Sequence, residues 1–299
     1  MSDLPGGPEP DLLVCAFAVT RTPPDAAALA AAAGHEEGGP LRVLRAGELS
    51  LVVQDVPAAL FGREALTERL NRPDVLERCA RAHHRAVEAA YGPGRGPVVP
   101  LPLATLYRGD GSAREAVARR ETPLAALLDR LRHRTEWAVK VHGADRAPRS
   151  PGATGGPAPD GAAAGGRAYL SRASSRQRDR QDAHGRALAA AEAVDTELRA
   201  HAVAAVRHRP QDERLTGRSA PQLLNAAYLV DDAERARFTA ALARLTADGP
   251  ARGARVEASG PWIPYSFARW DDPPDGPGAG HEPRVGTARP AAGHREVPA

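Results

Sequence analysis

Aromatic residues, cysteines and long apolar runs are all scarce in this sequence, and each scarcity excludes a class of protein. Phe, Trp and Tyr make up 4% of the 299 residues, which excludes a large aromatic sandwich and favours a helical core rich in small residues. Two cysteines, Cys15 and Cys79, without a CxxC spacing do not make a disulfide framework. The apolar runs are far shorter than the roughly 20 residues of a membrane span.

The N-terminus MSDLPGGPEPDLL contains acidic residues and prolines before its first apolar stretch. It lacks the basic start and the cleavage pattern of a signal peptide. We therefore expect a soluble, cytoplasmic protein without a membrane segment.

Lysine is almost absent, since Lys140 is the one lysine among 40 basic residues. The net charge is only +3, because 37 acidic residues offset the arginines. A chain so rich in Arg, Ala, Gly and Pro is typical of a GC-rich genome. The arginine count therefore does not by itself predict nucleic-acid binding.

Three segments contain almost no large apolar side chain, so burial cannot offset the entropy of ordering them. They are residues 1–10, 143–168 and 271–299, and we expect all three to be disordered. The middle segment divides the chain into two predicted domains, 11–142 and 169–270.

The apolar periodicity predicts an α+β fold in both domains. In the first, we expect strands at 12–19, 41–45, 49–54, 97–107 and 136–141, and helices at 25–33, 60–70, 74–91, 112 onward and 122–132. The helix from residue 112 onward is assigned a capping box at its start, with Ser112 three residues before Glu115.

The second domain is entered through a long helix predicted at 172–208. Strands at 212–217 and 223–230, a helix at 233–247 and a strand at 252–259 follow. The order helix, strand, strand, helix, strand indicates a ferredoxin-like layout. The first domain has a related order with additional helices.

No group of residues predicts catalysis. Cys79 and His83, with His84 beside them, could supply two ligands from one helix, but zinc needs three or four. The glycines of 92–97 lack the GK[ST] ending of a phosphate loop, and there is no HExxH or G-x-S-x-G motif. We therefore expect no enzyme activity, no metal and no cofactor.

Arginines recur along the predicted long helix. Arg172, Arg176 and Arg180 lie four residues apart, so they share one helix face that could meet phosphates or an acidic protein. Asp179 and Asp182 interrupt this charge, and no aromatic residue lies nearby to stack on bases. An arginine-rich nucleic-acid-binding helix is therefore kept as the alternative function rather than the first.

GPWIPYSF, residues 260–267, contains three of the twelve aromatic residues of the chain. Its prolines fix an extended backbone, which sets the directions of Trp262, Tyr265 and Phe267. The segment either closes the domain as a clasp or presents an apolar surface to a partner, and the physical argument favours the clasp.

At this point the sequence resembles the gas vesicle synthesis GvpL/GvpF family. GPWIPYSF matches the family ending GPW-x-PYSF, and LLNAAYLV at 223–230 resembles its N-x-A-YLV strand. EWAVKV at 136–141 resembles the family's E-W-x-V-K-V strand. Tyr169-Leu170, with Arg172 and Arg176, resembles its Y-L-x-x-R entry to the long helix and completes four landmarks in the family order. One stretch departs from the family pattern, because Pro102 and Ala104 stand where arginine and glycine are usual.

The resemblance implies a cytoplasmic, gas vesicle-associated accessory protein without catalysis or cofactor. Its expected partners are the major gas vesicle shell protein and other gas vesicle accessory proteins. By binding them, it would support nucleation of the shell or prevent aggregation. The family-motif and candidate interaction residues are Trp137, Lys140, Tyr228, Gly260, Pro261, Trp262, Pro264, Tyr265, Phe267, Arg172 and Arg176.

Overall fold

The computed structural model describes residues 11–92, 96–143, 162–209 and 220–269, with the backbone alone for 162–173 and 180. These residues form two compact units. Unit 1 contains the described residues up to His133 and those from Ile263 onward. Unit 2 contains the described residues from Arg134 to Trp262.

Unit 1 is a four-stranded antiparallel sheet with helices. Its elements in chain order are β1 (Leu12–Thr20), α1 (Ala26–Ala31), β2 (Arg42–Ala46), β3 (Leu49–Pro57), α2 (Ala58–Phe61), α3 (Arg63–Leu70), α4 (Pro73–Ala90), β4 (Val98–Tyr107), α5 (Asp110–Ala118), α6 (Glu121–Leu131) and the 3-10 turn Tyr265–Phe267. The order across the sheet is β2-β3-β1-β4.

β1 is buried because it lies between β3 and β4. Its last seven residues are all buried, which is what a continuous apolar run predicts for a central strand. α4 begins at Pro73, whose missing N–H is unneeded in a first turn, and it packs an apolar stripe on the sheet. The core of unit 1 contains Phe17 from β1 and Val87 from α4, and it also includes Ile263.

Unit 2 has a second four-stranded antiparallel sheet. Its elements are β5 (Arg134–Gly143), α7 (Ala162–Ala200), β6 (Ala204–Arg207), β7 (Gln222–Asp231), α8 (Arg235–Asp248), the 3-10 turn Pro250–Arg252 and β8 (Ala254–Trp262). The order is β6-β7-β5-β8, so each sheet places its third and first strands in the centre. The α+β class is confirmed, and both orders are compatible with the predicted ferredoxin-like layout.

The predicted boundary at residue 142 is corrected by strand pairing. β5 was grouped with the first domain, but it pairs with β7 and β8 in the sheet of unit 2. Local alternation predicts that a segment is a strand, but it carries no information on which distant strand becomes its neighbour. With β5 included, unit 2 has the complete order strand, helix, strand, strand, helix, strand.

The predicted limits of the long helix are also wrong. α7 begins at Ala162, inside the segment predicted to be disordered, because Ala162, Ala163 and Ala164 are strong helix formers even without apolar bulk. It ends at Ala200 because the chain then joins the sheet: Val203 N–H donates to Leu229 O at 2.8 Å, and β6 follows.

Two smaller predictions need comment. Ser112 is not an N-cap, since α5 begins at Asp110 and Ser112 Oγ donates instead to Gly109 O at 2.9 Å. The strand predicted at 212–217 lies outside the described residues, as do 1–10, 144–161 and 271–299.

Candidate functional site

The GPWIPYSF segment begins in unit 2, at the end of β8. Gly260 has φ 152°, and a Cβ at this residue would lie 3.0 Å from Glu136 O and 3.0 Å from the ring atoms Cδ2 and Cε3 of Trp137. Glycine therefore allows β8 to approach the Trp137 ring. That ring is partly buried against the core and lies 5.7 Å from the ring of Phe238.

The second half of the segment belongs to unit 1. Ile263 and Phe267 are each only 5% exposed, and Pro264 is also buried. Tyr265 is half-buried, and its hydroxyl lies 2.9 Å from His84 Nδ1. With Nε2 of His84 3.3 Å from Glu88 Oε1, the neutral tautomer protonated at Nε2 satisfies both contacts, accepting from Tyr265 and donating to Glu88.

Pro261 is the exposed residue of the segment, whereas Gly260, Trp262, Tyr265 and Ser266 are partly exposed. Trp262 Nε1–H donates to Ser259 Oγ at 3.2 Å. The burial of Ile263, Pro264 and Phe267 indicates a packing role for these residues. A partner contact of this segment stays a prediction, and Pro261 with the neighbouring Trp262 is the candidate contact.

Tyr228 on β7 belongs to a buried polar network in unit 2. Its side chain is fully buried, and its hydroxyl donates to Asp195 Oδ1 at 2.6 Å. Oδ2 of Asp195 accepts from Arg199 Nε at 2.7 Å and from Arg207 Nη2 at 2.6 Å. Arg207 also donates to Glu192 Oε2 at 2.7 Å. The network joins α7 to β6 and β7.

Burial and the hydrogen bonds of this network shift the pKa values of Asp195 and Tyr228. Burial alone would raise the pKa of Asp195, but hydrogen bonds from Tyr228, Arg199 and Arg207 outweigh it and lower the pKa below the usual range. Burial, with the carboxylate of Asp195 next to it, raises the pKa of Tyr228. The sequence does not single out Asp195, since a buried acid on an apolar helix stripe has no local signature.

Lys140 lies on β5, the central strand that pairs with β7 and β8. It is half-buried, opposite Asn225 on one side and Glu257 on the other. Cross-strand neighbours lie close enough to interact, so the lysine is positioned beside a carboxylate.

The predicted arginine face of α7 consists of Arg172, Arg176 and Arg180. Arg176 is exposed, while the side chains of Arg172 and Arg180 lie outside the described part of the chain. Among the described side chains of α7, the buried ones include Ala187, Ala190, Ala191, Val194 and Leu198, all in the last two-fifths of the helix. The predicted face is thus solvent-exposed at Arg176, the residue whose side chain is described.

Two histidines are buried in unit 1. The ring of Phe17 lies 5.5 Å from that of His83 and 5.6 Å from that of His35. Burial lowers the pKa of each histidine to about 4. In the described ranges, no three His, Cys, Asp or Glu side chains are placed to hold a metal ion, and this includes the group around Cys79.

The stretch that departs from the family pattern forms an irregularity in β4. Ala18 pairs with Pro100 and Ala16 with Thr105, so residues 101–104 have no partner on β1. Ala104 has φ 67°, a left-handed conformation that glycine adopts without strain. The backbone therefore gives a physical reason for a glycine at this position.

Comparisons with known proteins show the family of the chain. Residues 14–269 match the family model described as gas vesicle synthesis protein GvpL/GvpF. The chain belongs to this family. Gas vesicle protein L of Streptomyces sp. (strain CB03234) is 39% identical over 258 residues, which cover 86% of this chain and 93% of that protein.

Two crystal structures of GvpF have a similar fold. GvpF from Anabaena sp. PCC7120 aligns with a TM-score of 0.57 at 14% identity, over 91% of this chain and 100% of that one. GvpF from Microcystis aeruginosa gives 0.53 at 14% identity, over 86% and 99%. The predicted membership of the GvpL/GvpF family is confirmed. This is a family of gas vesicle structural and assembly proteins rather than a known enzyme family.

No helix in the described ranges combines the length and the apolar character that crossing a bilayer requires.

Proposed function

We propose that this protein is a non-enzymatic accessory factor of gas vesicle assembly. It binds the major shell protein and other gas vesicle accessory proteins in the cytoplasm, and so supports nucleation of the shell or prevents aggregation of its subunits. The observation that carries the proposal is the GvpL/GvpF match over residues 14–269, which includes both units. The 39% identity with gas vesicle protein L over 93% of that protein supports it.

Within the proposal, Pro261 and Trp262 are the candidate contact residues of the GPWIPYSF segment. Pro261 is the exposed residue of the segment, and Trp262 beside it is partly exposed. A Trp at the surface has a large apolar area and an N–H donor, which is why Trp is frequent among the residues that dominate binding.

The test is capture from cells that co-express the tagged chain with the shell protein and the accessory proteins of the same gas vesicle cluster. We expect the shell protein or an accessory protein to co-purify. Absence of every gas vesicle protein from the captured material would contradict the proposal.

A matched pair of variants tests the contact residues. Trp262→Ala is expected to lower capture several-fold while leaving the circular dichroism spectrum unchanged. Tyr91→Ala changes another exposed aromatic residue, which lies outside the family motifs, and is expected to leave capture unchanged. Equal capture by both variants would assign GPWIPYSF to packing alone.

A further inference from the structure

The N-terminal part of α7 extends beyond the part that packs in unit 2. Every described side chain from Ser174 to Arg186 is exposed, whereas burial begins at Ala187. The part from Ala162 to Arg186 is about 37 Å long at ~1.5 Å per residue. The described side chains from Ser174 to Arg186 therefore present a surface that unit 2 itself does not use.

The sequence from residue 162 to residue 186 carries an excess of positive charge. Its charged residues are Arg167, Arg172, Arg176, Arg178, Arg180, Arg186, Asp179 and Asp182. Arginines outnumber aspartates by three to one, so the stretch attracts anionic groups.

A cleft in unit 2 is lined by the last arginine of this stretch, Arg186, and by a second arginine, Arg252. It has a volume of about 310 Å³ and is lined by Arg186, Ala189 and Ala190 of α7 and by Ala251 and Arg252 of the 3-10 turn. Two guanidinium groups thus border a cleft whose other lining residues are alanines. A guanidinium binds a carboxylate through two parallel hydrogen bonds, and small neighbours leave room for it.

Neither arginine of the cleft is strongly neutralised. Within the residues that the structure describes, Arg186 has no ion pair, and the carboxylate paired with Arg252 is Asp248, at 3.9 Å. Arg207, in contrast, has Asp195 at 2.6 Å and Glu192 at 2.7 Å. The cleft arginines can therefore accept an external anion without breaking a short ion pair.

The composition of the exposed part also indicates a partner. Gly165, Gly166 and Gly185 lie inside the helix, and each costs up to about 1 kcal/mol relative to alanine. An unpacked helix of this kind is marginal in water, since most helical stability in proteins comes from packing. A partner along the arginine-rich side would stabilise it.

The charge pattern selects among the possible partners. A second copy of this helix would bring arginines against arginines, which is unfavourable. A nucleic acid would meet Asp179 and Asp182 inside the basic stretch, with no Phe, Tyr or Trp between residues 171 and 200 to stack on bases. An acidic protein segment can place carboxylates against the arginines and its own basic groups near the aspartates.

We propose that Arg176, Arg186 and Arg252 form a docking surface for an acidic segment of a partner protein. In this surface, the cleft between Arg186 and Arg252 receives a carboxylate side chain, and Arg176 contacts a further carboxylate along the helix. The proposal rests on the proposed function only in taking the partner to be a protein.

The test uses the full-length chain and a fluorescein-labelled 20-residue polyglutamate peptide, with binding followed by fluorescence anisotropy. We expect saturable binding that weakens with added salt, because exposed charges are screened. Arg186→Glu combined with Arg252→Glu is expected to raise the Kd about tenfold, since two attractive contacts become repulsive.

The matched control is Arg63→Glu combined with Arg108→Glu. Both residues are exposed arginines of unit 1, so the double variant has the same net charge as the cleft variant. We expect its Kd to stay within about twofold of the unaltered chain. Circular dichroism checks that both variants fold.

Three outcomes would overturn the docking surface: no binding of the peptide, equal weakening by both double variants, or tighter binding of a 20-base-pair DNA duplex that the cleft variant abolishes. The last outcome would assign the surface to nucleic acid. A chain that captures gas vesicle proteins but not the peptide contradicts only the docking surface. A chain that binds the peptide but captures no gas vesicle protein contradicts only the proposed function.

Discussion

The two units have the same order of strands but bury different polar groups. Unit 1 encloses His35 and His83 among aromatic rings. Unit 2 encloses Asp195, which accepts hydrogen bonds from Tyr228, Arg199 and Arg207. Antiparallel sheets of apolar strands can therefore enclose either kind of polar group. The buried polar group determines how the stability of each unit depends on pH and on substitution.

The largest expected difference is the response to acid. The pKa of His35 and His83 is about 4 in the folded chain, because burial disfavours the charged ring, against 6.5 for an ordinary histidine. A lowered histidine pKa means that the full stability of unit 1 is present above pH 6.5 and is lost as the pH falls towards 4. Each histidine contributes about 3 kcal/mol to this loss.

Hydrogen exchange between pH 7 and pH 4, corrected for intrinsic rates, measures the acid response of each unit. We expect peptides from β1 and α4 to lose protection before peptides from β7. His142 of β5 is also buried, and Glu257 Oε2 lies 3.7 Å from its Nε2. His83→Leu should reduce the acid sensitivity of unit 1, and an unchanged pH profile in that variant would contradict the assignment.

The second prediction tests the polar interior of unit 2. Asp195→Ala leaves Tyr228 and two arginines without their shared acceptor, so we expect the free energy of unfolding of unit 2 to fall by about 3 kcal/mol. Urea denaturation followed by tryptophan fluorescence measures it, because Trp137 packs against the core of unit 2.

The matched control for Asp195→Ala is Asp232→Ala. Asp232 pairs with Arg235 on the surface, so its loss should cost less than about 1 kcal/mol. Equal effects of the two substitutions would show that the buried network contributes no more than a surface ion pair.

The sequence predicts individual strands better than it predicts which strands pair. The strands of β1, β3 and β7 were predicted because continuous or alternating apolar residues report burial directly. The partner strands of β5 were missed because pairing is a long-range property. The start of α7 does not follow from the sequence pattern, because a lack of apolar bulk predicts disorder even where alanine favours a helix.

For the candidate site, the sequence identified landmarks but not their physical roles. Tyr228 was found through a resemblance, yet the reason for its hydroxyl is Asp195, 33 residues away. Gly260 was found through the same resemblance, and its reason is the Trp137 ring on another strand. Both reasons are contacts across the fold, which no local pattern contains.

The third prediction concerns the close approach at the end of β8. Gly260→Ala places a Cβ 3.0 Å from Glu136 O and from the Trp137 ring, at a φ that alanine adopts with strain. We expect unit 2 to lose about 2 kcal/mol. Gly185→Ala is the matched control, since its Cβ meets nothing within 4 Å, and it should stabilise α7 by up to about 1 kcal/mol. Effects of the same sign in thermal unfolding would contradict this account.

The smallest expected effect is a change in the stability of unit 1. Ala104 adopts φ 67° in the irregular part of β4, so Ala104→Gly removes the steric cost of that conformation. Glycine also gains entropy in the unfolded chain, which offsets part of the gain. We expect a net stabilisation of unit 1 of about 0.5–1 kcal/mol, measured as slower hydrogen exchange in β4 with no change in β7. Ala116→Gly, inside α5, should have the opposite sign, because a helical alanine has no such strain to relieve.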